Sequence, residues 1–398
     1  MASAARQLTL PSLVGRKDLL DTLARACAAN SIPGSLLVYG LPGVGKQRVA
    51  LWIGQLLLCP EPGPEGPCGE CKSCRMAVSL EHPDLHWYFP LPRPKGSKTP
   101  EKLAAALEEA RIATLAERRA EPIRASVPAT EPVGLYLAIA RSLRLRAQKM
   151  PAMGPRQVFV VARAESLVPQ EASQEAGNAL LKLLEEPPQG TTLILTTSAP
   201  GQVLATIRSR TLPLHLPPLP REQIRRFLVD VVGTTEDQGD RAAGLARGSI
   251  GRALGFLPDA DEPGPLEEIR QKAFTLLRAA LSPSMTEGLG ASIGFPPARA
   301  RGLLGLFAFL QEALRDLAAV ADGAHQSVVN TDTVDFLKKA VREHNIQPVA
   351  AARALDLVEE ASEMASGNVN PQLIVAGLMM DLRRVLISAT PVAAGGTR

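Results

Sequence analysis

The sequence predicts a parallel α/β domain built around a phosphate-binding loop and followed by wholly helical sequence. Three observations predict it. A short apolar run, Ser35-Leu36-Leu37-Val38-Tyr39, leads into the loop Gly40-Leu41-Pro42-Gly43-Val44-Gly45-Lys46, and a helical stretch runs from Lys46 to about Leu58. Two more buried-type strands, Val158–Val161 and Thr192–Thr197, alternate with helix-forming segments, the mark of a parallel sheet with crossover helices. No strand pattern recurs after Leu216, and from Leu266 onward the periodicity is helical apart from a Gly/Pro-rich break near residues 282–297.

The loop defines the first candidate site. Its glycines let backbone N–H groups turn inward around phosphate oxygens, the next helix offers its positive N-terminus, and Lys46 reaches the outer phosphates. Gly40, Gly43, Gly45 and Lys46 are therefore candidate nucleotide-binding residues. The pattern breaks at its last position. A Ser or Thr hydroxyl there would bind Mg²⁺, and Gln47 is a poor substitute. The strand Val158–Val161 should end in a carboxylate pair that holds the metal and orients the attacking water, yet Ala162 and Arg163 stand there. Glu165 is displaced and reads as capping or solvating the following helix. The expectation is a hydrolytically dead site without Mg²⁺, and whether it holds ATP or ADP stays open.

The second site lies in the knob after the loop's helix. Cys59, Cys68, Cys71 and Cys74 crowd into one Pro/Gly-rich segment. Four thiolates satisfy tetrahedral Zn²⁺ and leave no open position, so the expected metal is structural zinc. An iron–sulfur cluster also uses four cysteines and is the lesser alternative. The fifth cysteine, Cys27, sits alone on an apolar helix face and reads as a small core residue.

At 398 residues the chain is too long for one ordinary core. Three parts are expected: a phosphate-loop domain over residues 1–217, a small helical domain over 218–262, and a helical C-terminal domain over 263–398. The first carries the cysteine knob (59–74) and an insertion of about residues 89–132. The insertion is polar and Pro-rich at both ends and holds one charge-laden helix, Pro100 to Glu121, whose i,i+4 charge pairs read as a solvated surface. The net charge of +4 is too mild to argue for nucleic acid, and aromatics at 4% count against a stand-alone DNA-binding module that stacks bases. No apolar run reaches the ~18 residues of a membrane span and no signal peptide is read, so a cytoplasmic protein is expected.

These motifs together resemble one family, the bacterial DNA polymerase III clamp-loader subunits of the AAA+ class, specifically the delta-prime group. The matching pieces are Val14-Gly15-Arg16, the phosphate loop, the cysteine knob, His82-Pro83-Asp84, the stretch Asn178 to Pro188 (NALLKLLEEPP) and Thr196-Thr197-Ser198. Ile207-Arg208-Ser209-Arg210-Thr211, Ala246 to Ala253 and Asn368 to Leu373 continue the series. Two departures stand out: the family's Ser-Arg-Cys reads Ser209-Arg210-Thr211, and the insertion after Pro90 has no counterpart.

The resemblance implies a heteropentameric ring with tau/gamma and delta subunits that loads a sliding clamp onto primed DNA. This chain would be its non-hydrolysing stator and no ATPase on its own. Arg210 would act in trans as an arginine finger; taken alone, an arginine there reads as a surface or capping residue. Arg252 resembles the second sensor that touches nucleotide, with a structural ion pair as the competing reading. The C-terminal helices would form a collar, with apolar stripes at Leu303–Leu317 and Gln372–Leu386 serving either assembly or internal core. The alternative is an ATP-hydrolysing tau/gamma-type subunit.

Overall fold

The computed structural model describes residues 13–95, 99–129, 131–167, 175–259, 262–282, 290, 300–367 and 369–387. The chain divides into two compact units, residues 1–126 with 132–254, and residues 127–131 with 255–398.

The first unit is an α/β sandwich. Helix α1 (Lys17–Ala28) leads into strand β1 (Ser35–Gly40), and α2 (Lys46–Leu58) and α3 (Lys72–Val78) flank the cysteine knob. Strand β2 (Leu85–Tyr88) follows, then the two-residue strands β3 (Leu91–Pro92) and β4 (Val133–Gly134), with α4 (Pro100–Ala120) between them. Next come α5 (Leu137–Ala147), β5 (Gln157–Val161), α6 (Glu175–Glu185), β6 (Thr191–Thr197), α7 (Ala205–Arg208) and β7 (Leu212–Leu216). Helices α8 (Arg221–Phe227), α9 (Glu236–Leu245) and α10 (Ile250–Leu254) complete the unit.

The sheet has the order β2-β5-β6-β1-β7, with every pairing parallel. Strands β5 and β6 are buried along their whole length, and their apolar and β-branched residues made them legible in the sequence. The two outer strands were not. In β2 the tetrapeptide Leu-His-Trp-Tyr mixes ring types, and β7 carries Pro213 and is largely exposed. A proline is tolerated on an outer strand because it lacks only one ladder donor.

The insertion up to Ser126 folds as an integral part of this unit. Thr99 caps α4 by accepting from Lys102 N at 3.3 Å, Pro100 presets the first turn, and Arg118 and Arg119 sit in the last. The expected solvated surface is corrected here: Leu103, Leu107, Ala110 and Leu115 lie against the sheet's core at helical spacing. Arg111 and Arg118 follow them inward. Arg111 stands over the Tyr88 ring and donates Nη1–H to Trp87 O at 3.4 Å, while Arg118 lies 4.5 Å over both Trp87 and Phe89. Helix counting alone assigned these arginines to solvent, because the aromatic faces that accept them belong to an unforeseen strand.

The second unit is all-helical: α11 (Pro265–Leu281), α12 (Leu303–Ala321), α13 (Val334–His344), α14 (Pro348–Ser366) and α15 (Pro371–Ile387). Helix α12 buries Leu303, Leu306, Phe307, Leu310, Leu314 and Leu317, which makes that apolar stripe internal core. Alanines 351, 354, 361 and 365 on the buried face of α14 let helices approach closely. On α15 the buried face is Ile374, Val375, Leu378 and Leu382, whereas Leu373 and Met380 are exposed. Asn368 of the matched C-terminal motif lies outside the described residues. Among the described residues no helix is long and apolar enough to cross a membrane.

Candidate functional site

Strand β1 delivers the loop to the C-terminal end of the sheet. Gly40 and Gly43 both have positive φ, and a Cβ on Gly40 would strike the Leu216 carbonyl of β7. Gly45, left-handed, caps α2. Lys46 is 7% exposed, and its ammonium donates to Gly40 O at 2.9 Å, Leu41 O at 2.6 Å and Ser198 Oγ at 2.8 Å. Burial pushes its pKa down to about 8, opposed by the charge of Glu165. Ser198 closes the sensor-like segment at the end of β6, so the sheet joins the loop and that segment through one lysine.

At the end of β5, Ala162 is fully buried and Arg163 adopts a left-handed backbone, φ 56°, with its N–H on Thr196 Oγ1 at 3.3 Å. No carboxylate stands at either position. Glu165 requires a correction. It does not solvate the following helix; its side chain is 14% exposed, in the turn Ala164–Leu167, 4.0 Å from Arg163 Nε. A left-handed residue, Arg163, leads into that turn, which residue types alone do not report.

The helical segment after the sheet reaches the same place. Ser249 Oγ donates to Pro42 O at 2.8 Å and Gly251 N to Gly43 O at 2.9 Å. Arg252 donates Nε–H to Leu245 O at 3.2 Å, and its backbone N would lie 3.2 Å from a Cβ on Gly43. The sequence motif thus brings Arg252 to the loop.

The four sulfurs of Cys59, Cys68, Cys71 and Cys74 lie within 4.8 Å of one another. The N–H of Cys68 points at Cys59 Sγ (3.5 Å), that of Cys71 at Cys68 Sγ (3.4 Å) and that of Cys74 at Cys71 Sγ (3.3 Å). Backbone donors aimed at sulfur favour thiolates: the N–H groups of Cys71 and Glu70 hold Cys68 down to a pKa of about 7, whereas burial pushes the Cys59 and Cys74 thiols up. Four convergent, amide-supported sulfurs fit a closed tetrahedral metal. The knob is anchored beneath. Asp84 N donates to His82 Nδ1 at 3.1 Å, so the neutral ring, favoured by burial, gives its Nε2 proton to Ser73 Oγ at 2.8 Å. Ser73 in turn donates to Leu58 O at 2.7 Å, and Asp84 accepts from Ala152 N and Met153 N at 2.6 and 2.8 Å. The His82-Pro83-Asp84 motif is a clasp.

Arg210 follows α7 on the surface. Its Nε and Nη2 both meet Glu185 Oε1, at 2.6 and 2.5 Å, and Nη1 donates to Thr206 O at 3.0 Å. Glu185 ends α6; Lys182 of that helix and Glu186 just after it are exposed. The side chains of Asn178 and Ala179 in the same motif lie outside the described residues.

A sequence-family model described as DNA polymerase III, delta subunit, matches residues 15–220. The chain belongs to that family. The DNA polymerase III subunit delta' of Escherichia coli is 29% identical over 220 residues, covering 55% of this chain and 53% of the relative. The delta' subunit of Pseudomonas aeruginosa is 32% identical over 174 residues, 44% of this chain and 40% of its own. The tau subunit of E. coli is 29% identical over 232 residues, 58% and 29%. The chain therefore spans about half the length, or less, of the curated relatives it matches. Delta-prime subunits carry the resemblance, with tau/gamma subunits as close relatives. The family match spans the sheet, the knob and the Ser209-Arg210 pair, and ends before α8.

Proposed function

We propose that the chain is the non-hydrolysing stator of a DNA polymerase III clamp loader of the AAA+ class. Residues 218–262 serve as the lid and residues 263–398 as the collar. The supporting observation is a contrast within one sheet. The loop carries Gln47, Ala162 and Arg163 where hydrolysis needs a hydroxyl and two carboxylates, while Arg210 stands intact on the surface.

In a ring with tau/gamma and delta subunits, Arg210 enters a neighbour's ATP site. Its planar guanidinium stabilises the charge that builds on the transferred phosphoryl oxygens. The ring uses ATP on those neighbours to open a sliding clamp and close it around primed DNA. The collar is held by apolar helix packing between subunits, for which the exposed Leu373 and Met380 are suited. Cys59, Cys68, Cys71 and Cys74 hold structural Zn²⁺, which fixes the knob against α2 and α3. The protein works in the cytoplasm.

The deciding experiment mixes the purified chain with candidate tau/gamma and delta subunits, isolates the complex and assays ATP turnover with and without primed DNA and clamp. The isolated chain shows no turnover above background, and the complex does. Turnover by the isolated chain that Lys46→Ala abolishes would instead favour an ATP-hydrolysing tau/gamma-type subunit. The Glu165 carboxylate, close enough for its charge to act on Lys46, is the feature that keeps that reading in play.

A further inference from the structure

The insertion ends on the phosphate loop. After α4 the chain has no regular secondary structure, and Ser126 donates its N–H to Gly251 O at 2.7 Å. A Cβ on Gly43 would lie 3.0 Å from the Ser126 Cβ, and a Cβ on Gly251 would lie 3.0 Å from the same atom. Ser126 is thus wedged between the middle glycine of the loop and the start of α10, at a spot where both neighbours must be glycine. A second contact comes from the same insertion: Arg118 Nη1 donates to Gln47 Oε1 at 3.5 Å. Gln47 stands where a metal-binding hydroxyl would be, and it is engaged by α4 instead. Ser249 Oγ and Gly251 N close the ring of contacts on Pro42 O and Gly43 O.

We infer that residues 121–126 form a strap that plugs the chain's own phosphate loop and excludes nucleotide. A diphosphate needs the inner face of the loop, and the nucleoside attached to it must leave along the loop's rim. Ser126 fills the gap between Gly43 and Gly251 that this path requires. The strap holds through one backbone hydrogen bond and the fit of one small side chain, so modest changes release it. Nucleotide affinity then rises by the factor by which the open form is populated. This deepens the proposal of an inert loop by naming what occupies it, and the two readings fail separately, since one is read by ADP binding and the other by ATP turnover.

The test is titration calorimetry of the full chain with ADP, with and without Mg²⁺. The unmodified chain shows no heat of binding. Ser126→Pro removes the donor to Gly251, and Ser126→Leu adds bulk where two glycine backbones leave none. Each is expected to gain ADP affinity by about tenfold or more, and the gain disappears when Lys46→Ala is added. Hydrogen exchange supplies the companion readout, because the Ser126 amide is protected in the unmodified chain and exchanges freely in Ser126→Leu. ADP binding by the unmodified chain at the affinity of the variants overturns the inference. So does a variant with native circular dichroism and an exchanging strap that gains no ADP binding.

Discussion

Arg210 and Glu185 are locked side by side: one carboxylate oxygen takes both Nε and Nη2 of the guanidinium, at 2.6 and 2.5 Å. The pair is about a third exposed on the arginine side and more on the glutamate side, so as a stabilising ion pair it is worth little. Its value is directional. A long side chain with four rotatable bonds is held in one rotamer beside Thr206 before any partner arrives.

In a reconstituted complex Arg210→Ala is therefore expected to lower ATP turnover by about a thousandfold while assembly by gel filtration is unchanged. Glu185→Gln, which loosens the hold, is expected to lower kcat severalfold and leave the KM for ATP unaltered. Unchanged turnover in Arg210→Ala would refute the arginine's role in trans.

The cysteine knob predicts one zinc per chain by elemental analysis. Cys74→Ser removes a fully buried ligand at the start of α3, and the metal should be lost with it. Loss of the metal is expected to lower the thermal midpoint, and protease cuts should appear first within residues 59–74. A variant that retains stoichiometric zinc would exclude Cys74 as a ligand.

In the helical unit, Arg270 is 4% exposed and tied to Glu267 at 2.9 Å, Asp332 at 2.6 Å and Asn330 at 3.1 Å. Asp316, 3% exposed, accepts from the N–H groups of Val329 and Asn330 and from the Asn330 amide. Arg270→Ala removes a buried cation from between Glu267 and Asp332 and should destabilise this unit by about 3–5 kcal/mol. Arg270→Met with Glu267→Gln should recover much of that loss. Urea unfolding of the two variants decides it.

Acid lability has a named source in the sheet. Burial pushes His86 down to about 4 from its usual 6.5; Arg146 and Arg111 push the same way, opposed by Asp84 and Glu108. Below pH 6.5 the unfolded chain binds a proton that folded His86 refuses, so stability is lost as pH falls from 6.5 toward 4. The expected loss is about 2 kcal/mol, allowing for the ring's partial exposure. Urea midpoints measured across that range should fall, and His86→Gln should flatten the slope.

The three central strands were legible because β5, β6 and β1 each carry a buried apolar run, and glycine precedes both β1 and β6. The outer strands were not, since Trp87 and Tyr88 announce a strand only once the arginines of α4 are known to lie on them. At the site, glycine spacing and the sulfur spacing fixed which residues converge. Ser198 on Lys46, Glu185 on Arg210 and Arg118 on Gln47 were invisible because each comes from far along the chain. Glu165 was misplaced for a local reason, the left-handed backbone of Arg163. No pattern of residue types reports a positive φ at an arginine.

The arginine on the Trp87 carbonyl has a consequence for the molecule in a crowded cell. β2 is the last strand on its side of the sheet, and its Asp84 and Tyr88 carbonyls serve β5 while that of Trp87 does not. Arg111 takes the spare carbonyl, and α4 lies over the strand's aromatic side chains. An unsealed row of such groups beside two aromatics would recruit extended chains from other molecules. The insertion that meets the phosphate loop at Ser126 also covers this edge of the sheet, at the Trp87 carbonyl and the two rings beside it.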